Sequence, residues 1–321
     1  MRVLVTGGLG FIGSNFIRYY LTRHPEDNVV NLDKRTYAAS PVAARELKKF
    51  RNYKLVIGDI CNRKLVQRCM KGVGAVVHFA AETHVDRSIK NSRPFERTNI
   101  LGTLVMLEEA KKNGVKRFHH VSTDEVYGSL NLDSNEKFDE NTKYNPRNPY
   151  SASKAASDFF VMAYHETHGL HTTITNCSNN FGPFQHPEKL IPKSILNALS
   201  NSPIPIYGDG KHVRDWLYVE DHCSAVDLIL EKGKSGETYC ISAGNEYSNI
   251  EIVRMILELM GKHEGLIRFV EERPGHDRRY ALDSTKIRNE LGWRPAHDFK
   301  ESLASTINWY TEKRNLLKTQ A

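Results

Sequence analysis

Cysteine is scarce: five residues in 321, Cys61, Cys69, Cys177, Cys223 and Cys240, with no CxxC pair among them. An odd, widely spaced set excludes a disulfide scaffold and gives no zinc-ribbon or dithiol redox motif, so a reduced, cytoplasmic protein is expected. No apolar run is long enough to span a bilayer. The chain opens on MRVLVTGG, a strand almost from its first residue, so no charged n-region and apolar signal segment is expected. Internal repeats and low-complexity tracts are missing too, and only the final LLKTQA suggests a frayed tail. No RNP or zinc-finger motif accompanies the net charge of +7 and pI near 9.0. The lysines and arginines are scattered, so no nucleic-acid partner is expected; a small anionic ligand, or simply a solubilising basic surface, fits better. The fourteen histidines raise the question of a metal, above all His119 and His120. Strand neighbours point to opposite faces and cannot jointly chelate, and no HxxxH spacing occurs, so no catalytic metal is expected.

What is present is alternation. RVLVTG, NVVNLD, KLVIGD, AVVHFAA and RFHHVST are apolar runs separated by amphipathic stretches such as FIGSNFIRYYLTRH and TNILGTLVMLEEAKKNG. Strands buried on both faces read as continuous apolar runs, so this pattern predicts a doubly wound parallel α/β sheet. SASKAASDFFVMAYHETHG has helical spacing and closes at Gly169, a plausible C-cap. Beyond Gly182 the texture changes to proline-punctuated loops and shorter helices, IPKSILNALS and NIEIVRMILELMG. The length exceeds what one core usually fills. Two units are expected: a Rossmann-like unit over residues 1–182, with some return of later segments, and a smaller α/β unit over 183–321.

TGGLGFIG, Thr6 to Gly13, joins the first strand to the first helix. Gly7 would permit the tight turn, Gly10 a close approach to a pyrophosphate, and Gly13 helix–strand packing, while the helix N-terminus stabilises phosphate charge. NVVNLD ends at Asp33, twenty residues past Gly13, where a carboxylate would accept hydrogen bonds from an adenosine ribose. Asp33 argues for NAD over NADP, and the following Lys34 and Arg35 weaken that preference. GDI at 58–60 and FAAET at 79–83 also end strands, placing Asp59 and Ile60 by the adenine and the small Ala80 and Ala81 along the cofactor.

Tyr150 and Lys154 of YSASK are four residues apart, on one helix face. A nearby ammonium favours the phenolate, which would let Tyr150 act as a base near neutral pH. Thr123 could then hydrogen-bond the same substrate hydroxyl. Asp124 and Glu125 follow it in VSTDEVYG, where two adjacent carboxylates could equally be a solvated strand end.

TGGLGFIG, YSASK and the strand order resemble the extended short-chain dehydrogenase/reductase family. STDEVYG, NLDKRTYA, AAETHVDRSI, SNNFGPFQHPEKLIP, VRDWLYVEDHC and RPGHDRRYALD extend the similarity to its dTDP-glucose 4,6-dehydratase branch over essentially the whole chain. The resemblance implies NAD contacts at Gly7, Gly10, Phe11, Ile12, Gly13, Asp33, Lys34, Asp59, Ile60, Ala80, Ala81, Thr98, Tyr150, Lys154 and Asn180. It also implies a nucleotide-sugar substrate, a homodimer through a helix bundle, Glu125 as base at sugar C5 and Asp124 as acid at C6. Oxidation at C4 acidifies the C5 proton, and elimination then needs one ionised and one protonated carboxyl group. The implied substrate positions are Thr83, Thr123, Asn179, Lys189, Leu190, Pro205, Tyr207, Arg214, Asn249, Arg273 and His276. Each has a plainer alternative: Arg214 and Asp215 a surface ion pair, Asn249 a helix N-cap, RPGHD a turn. Arg35 and Lys193 stand where the family has apolar residues, Thr83 where it has serine, and Phe181 and Phe184 where it has tyrosines. A UDP-sugar 4,6-dehydratase or 4-epimerase, and a non-catalytic dinucleotide-binding protein on the same fold, remain the alternatives.

Overall fold

The computed structural model describes residues 1–272 and 274–317; the expected phosphate contact Arg273 and residues 318–321 of the expected frayed tail lie outside them. In chain order the strands are β1 (Arg2–Thr6), β2 (Asn28–Asp33), β3 (Tyr53–Ile57), β4 (Ala75–His78), β5 (Arg117–Thr123), β6 (Thr172–Cys177), β7 (Asn179–Phe181), β8 (Ile204–Tyr207), β9 (Val213–Tyr218), β10 (Thr238–Ile241), β11 (Glu246–Ser248) and β12 (Ile267–Val270). Seven of them form one sheet in the order β10-β6-β5-β4-β1-β2-β3. All its pairings are parallel.

Period-two alternation splits the apolar runs between two cores. Leu4, Leu32, Val76 and Phe118 face helix Thr103–Lys112 with Met106, whereas Val3, Val5 and Val77 face Phe16 and Val226. Each such side chain, fully buried, contributes roughly 1.5–3 kcal/mol. The expected doubly wound sheet is present, and β3, at its edge, is only half-buried. Strand order reverses between β1 and β4, which opens a crevice at the carboxyl ends of the strands.

The later chain also contributes to this layer. β10 pairs with β6, and helix Val219–Lys232 packs through Val226 and Leu230 into the core containing helix Phe11–Arg23. The remaining segments build the smaller α/β region: a β11-β9-β7 sheet, a parallel β12-β8 pair, and helices Leu190–Leu199, Asn249–Leu259 and Phe299–Leu317. Phe181, Ile195, Trp216, Ile252, Leu303 and Tyr310 form its core.

Two helices position the chemistry. Pro149–His168 begins with a reciprocal Asn148/Ser151 capping box and Pro149, and ends on Gly169 in the left-handed region (φ 62°). The helix expected from TNILGTLVMLEEAKKNG instead begins as a π-helix over Glu96–Gly102 before becoming α-helical at Thr103. The Asn99 side chain in that π segment is fixed by Glu82 N–H (2.8 Å), the Glu82 carbonyl (3.0 Å) and Ser153 Oγ (2.8 Å).

Candidate active site

The crevice is lined by the ends of β1 to β6 and the segments that follow them. Gly7 adopts φ +70°, and a Cβ there would lie 2.8 Å from the Ala80 backbone, so the turn admits only glycine. At Gly13 a Cβ would stand 2.5 Å from the Gly7 carbonyl, which explains the close seating of helix on loop. Gly10 caps that helix without any side-chain hydrogen bond, leaving amides for a phosphate. Asp33 is buried and accepts from Leu9 N (2.9 Å) and Arg35 N (2.6 Å), which fixes its carboxylate at the end of β2. Lys34 pairs with Asp59 (3.0 Å), and burial opposed by the Cys61 amide and Lys34 leaves that carboxyl below its usual range. Arg35 takes φ 57°. These features fit a dinucleotide whose ribose meets Asp33. All fifteen expected cofactor positions line this one crevice, Thr98 and Asn180 among them.

Thr123, Asp124 and Glu125 lie where β5 ends, opposite Tyr150 and Lys154, and all five face the crevice. The Thr123 hydroxyl donates to Asp124 Oδ1 (3.3 Å) and accepts from Glu125 N (3.3 Å). The two carboxyl groups are unlike. Asp124 is 2 % exposed, and its Oδ2 is buried without a hydrogen-bond partner. Burial, then the Glu125 charge, raises its pKa well above the carboxylate range, with Arg214 opposing. Glu125 is half-buried and accepts from Asn148 Nδ2 at 3.5 Å.

Tyr150 is buried against Phe95 and Val85. Its phenol is raised by that burial and then by Glu125, while a hydrogen bond with Thr123 lowers it. The expected lowering of the phenol is thus not found: it is raised, and desolvation is the largest cause. Lys154 donates to the Val121 carbonyl (2.9 Å) and contacts His120 Nε2 (3.2 Å); burial lowers its pKa, with Asp158 opposing.

The expected substrate positions divide. Thr83, Thr123, Asn179 and Lys189 line the crevice, and Asn179 Oδ1 is buried without a hydrogen-bond partner. Leu190, Pro205, Tyr207, Arg214, Asn249 and His276 lie outside its lining. Leu190 packs into the smaller region's cores, while Pro205 and Tyr207 lie on β8. Arg214 does not pair with Asp215: the two alternate along β9, and Arg214 donates to the Val213 and Asp277 carbonyls (2.7 and 2.9 Å) over the Tyr280 ring. Nor is Asn249 an N-cap; Ser248 caps that helix in a box with Glu251. The PGHD stretch does turn, with Gly275 at φ 67°.

Phe181 and Phe184 are buried against Phe299 and Trp309. His119 bonds Thr173 and His120 faces Ser157, on opposite sides of β5. Among the described residues His212, Glu272 and His276 approach one another closely enough to share an ion, and none lines the crevice. Sequence reasoning missed Glu82, Gln185 and Glu188 of the lining, and the buried His78, Asn99 and Asp158 behind it. Glu82 lies inside the quoted FAAET and could have been found there; the buried polar residues carry no sequence signal, because nothing in a period-two run says which polar side chains meet.

The parallel sheet, glycine loop and Tyr–Lys helix define an extended short-chain dehydrogenase/reductase. A family model described as GDP-mannose 4,6 dehydratase matches residues 4–306. The chain is 48 % identical to dTDP-glucose 4,6-dehydratase of Haemophilus influenzae, over 97 % of this chain and 98 % of that one. It is 49 % identical to the low-salt glycan biosynthesis protein Agl12 of Haloferax volcanii, over 97 % and 98 %. The crystal structure of DesIV, a dTDP-glucose 4,6-dehydratase from Streptomyces venezuelae solved with NAD bound, superposes with a TM-score of 0.97 at 45 % identity, covering 100 % of both chains. The chain belongs to the dTDP-glucose 4,6-dehydratase family.

Proposed function

We propose that this protein is an NAD-dependent lyase that converts dTDP-glucose to dTDP-4-keto-6-deoxyglucose. The observation that carries this reading is the unequal carboxyl pair: Asp124 buried, its carboxyl raised well above the ordinary range, Glu125 half-buried beside it, both facing the crevice that Tyr150 and Lys154 enter. NAD, when bound, accepts hydride from sugar C4 and returns it to C6. Gly7, Gly10 and Asp33 would hold it by pyrophosphate and ribose.

Tyr150 takes the proton of the C4 hydroxyl while Thr123 hydrogen-bonds the same oxygen, and Lys154 stabilises the phenolate. The C4 ketone acidifies C5–H, which Glu125 removes; the protonated Glu125 gives a proton back to C5 when hydride reaches C6. Asp124 delivers its proton to the departing C6 oxygen, and water leaves. Burial raises the Asp124 carboxyl well above its ordinary range and so favours the protonated form that an acid at C6 needs. A 4-epimerase needs no such pair. Asn179, Lys189, Arg214, Asn249, Arg273 and His276 are proposed around the nucleoside diphosphate, and Pro205 and Tyr207 at its base. In this reading residues 1–182 with the returning segments form the dinucleotide unit, and 183–321 the nucleotide-sugar unit.

We assign a homodimer, supported by exposed Leu101, Phe159 and Phe160 (50, 57 and 37 %) on the helical segments 96–112 and 149–168. A cytoplasmic setting is supported by five free thiols. No helix among the described residues is long and apolar enough to cross a membrane. Incubation with dTDP-glucose and NAD should yield a product with the alkali-induced ultraviolet absorbance of a 4-ketosugar; no absorbance would overturn the assignment. A parallel arm with UDP-glucose measures selection for the thymine methyl, a contact of ~1–3 kcal/mol.

A further inference from the structure

Behind the Tyr–Lys pair lies a buried polar group that the proposed mechanism does not use. His120 points from β5 toward helix Pro149–His168, and its Nε2 is 3.2 Å from each of Lys154 Nζ, Ser157 Oγ and Asp158 Oδ1. His120 and Asp158 are 1 % and 0 % exposed. The other carboxylate oxygen, Asp158 Oδ2, accepts from Ser122 Oγ (2.7 Å) and Tyr144 OH (3.1 Å). Lys154 makes no ion pair of 4.0 Å or less with a carboxylate among the described residues, and the His120 imidazole lies within 3.2 Å of both its ammonium and Asp158 Oδ1.

The demands on Nε2 compete. An ammonium can only donate, so Lys154 requires Nε2 bare. Asp158 Oδ1 approaches the same nitrogen at 3.2 Å but, like His120 Nδ1, has no hydrogen-bond partner, and would gain one only if Nε2 carried hydrogen turned toward it. Ser157 does not settle the matter, since its hydroxyl already donates to the Lys154 carbonyl (2.7 Å). The hydrogen on His120 therefore cannot be placed without regard to the protonation of both neighbours. We propose that His120 couples Asp158 to Lys154, and that this buried pair acts as a positioning device keeping the Lys154 ammonium charged beside Tyr150.

Charges near the trio point the same way. Burial lowers Lys154 and Asp158 is the first group raising it; burial pushes Asp158 up to about 6, with Lys154 first among the opposing groups. The other titratable groups facing the trio are His78 on β4, its ring 5.3 Å from that of His120, Cys177 on β6, and Tyr144 in the preceding loop. His78 and His120 are themselves held neutral by burial, and burial raises the Cys177 thiol to about 12. Asp124 and Glu125 act on Tyr150. Asp158 is thus the ionised group available to Lys154 near neutral pH.

The proposal rests on Tyr150 and Lys154 serving C4 oxidation, and its test separates the two. Single-turnover NAD reduction by dTDP-glucose is followed at 340 nm from pH 6 to pH 10 in the holoenzyme. Asp158→Asn and His120→Phe should move the alkaline limb, where Lys154 loses its proton, down by about one pH unit, roughly tenfold in the Lys154 equilibrium. His120→Gln, whose amide can both accept and donate, should keep the wild-type limb. A uniform loss with an unmoved limb in both disruptive variants would show a merely structural role and overturn the coupling. If neither variant folds, histidine 15N spectra of the wild-type holoenzyme decide. A His120 Nε2 signal that changes as Asp158 titrates supports the coupling; a constant signal from pH 5 to pH 9 overturns it. That spectrum needs no turnover, so failure of the coupling and failure of the dehydratase reading are distinguishable.

Discussion

Asp124 and Glu125 are consecutive, yet the fold treats them oppositely. Thr123 ends β5, and the single turn of 3-10 helix over Asp124–Tyr127 sends the first carboxyl inward and leaves the second half-buried at the crevice. The adjacency was legible in VSTDEVYG; the division of labour was not, because it depends on what surrounds Asp124, chiefly burial and the neighbouring charges of Glu125, Arg214 and Asp215. At this scale the prediction concerns partial reactions. Glu125→Gln should still support NAD reduction at C4 but lose exchange of C5–H with solvent. Asp124→Asn should retain that exchange while dehydration falls by ~10²–10⁴, the usual worth of a positioned general acid. Rapid-quench analysis in deuterated water separates the two losses, and undiminished C5 exchange in Glu125→Gln would mean another group is the base.

Elements carried most of what the sequence announced. The apolar runs became parallel strands, and YSASK opened a helix, because those patterns are local and Asn148, Pro149 and Gly169 mark its ends by side-chain and backbone chemistry. The π segment over Glu96–Gly102 was not legible. It coincides with tertiary contacts: Asn99 bonds to the Glu82 backbone, and Gly102 is seated where a Cβ would meet Ile60 Cδ1 at 2.5 Å. The glycine loop yields a prediction of its own. Gly7→Ala must take a left-handed conformation with its methyl against Ala80, so calorimetry should show about 1–3 kcal/mol lower stability, and NAD binding should weaken at least tenfold.

Strand β9 offers a second test. Asp215 is fully buried, accepts from Gly244 N (3.1 Å) and Asn245 N (3.2 Å), and is pushed up to about 6 by burial. An unfolded Asp ionises near 3.9. Between those values the unfolded state releases its proton first, so this residue's contribution to stability is present below about pH 4 and is lost as pH rises through 6. Asp215→Asn keeps the acceptor but not the titration. Relative to wild type it should gain stability from pH 4 to pH 6, on the order of 3 kcal/mol, and then level off. A difference that does not vary with pH would mean that Asp215 ionises normally.

For the whole molecule, the nucleotide-binding sheet and the smaller α/β region are interleaved rather than strung in series, since β10 and helix Val219–Lys232 return to the first layer. Parallel pairing of β10 with β6 joins segments more than sixty residues apart, which a single sequence cannot show. Light scattering should give twice 36.6 kDa for the proposed homodimer, and Phe159→Glu with Phe160→Glu should leave the monomer mass. A wild-type monomer would rule the dimer out. The most direct test of the dehydratase chemistry follows one hydrogen. With dTDP-glucose carrying deuterium at C4, turnover with NAD should deliver a 4-keto-6-deoxy product with that deuterium at C6. Deuterium lost to solvent or retained at C4 would contradict oxidation at C4 followed by elimination and hydride return.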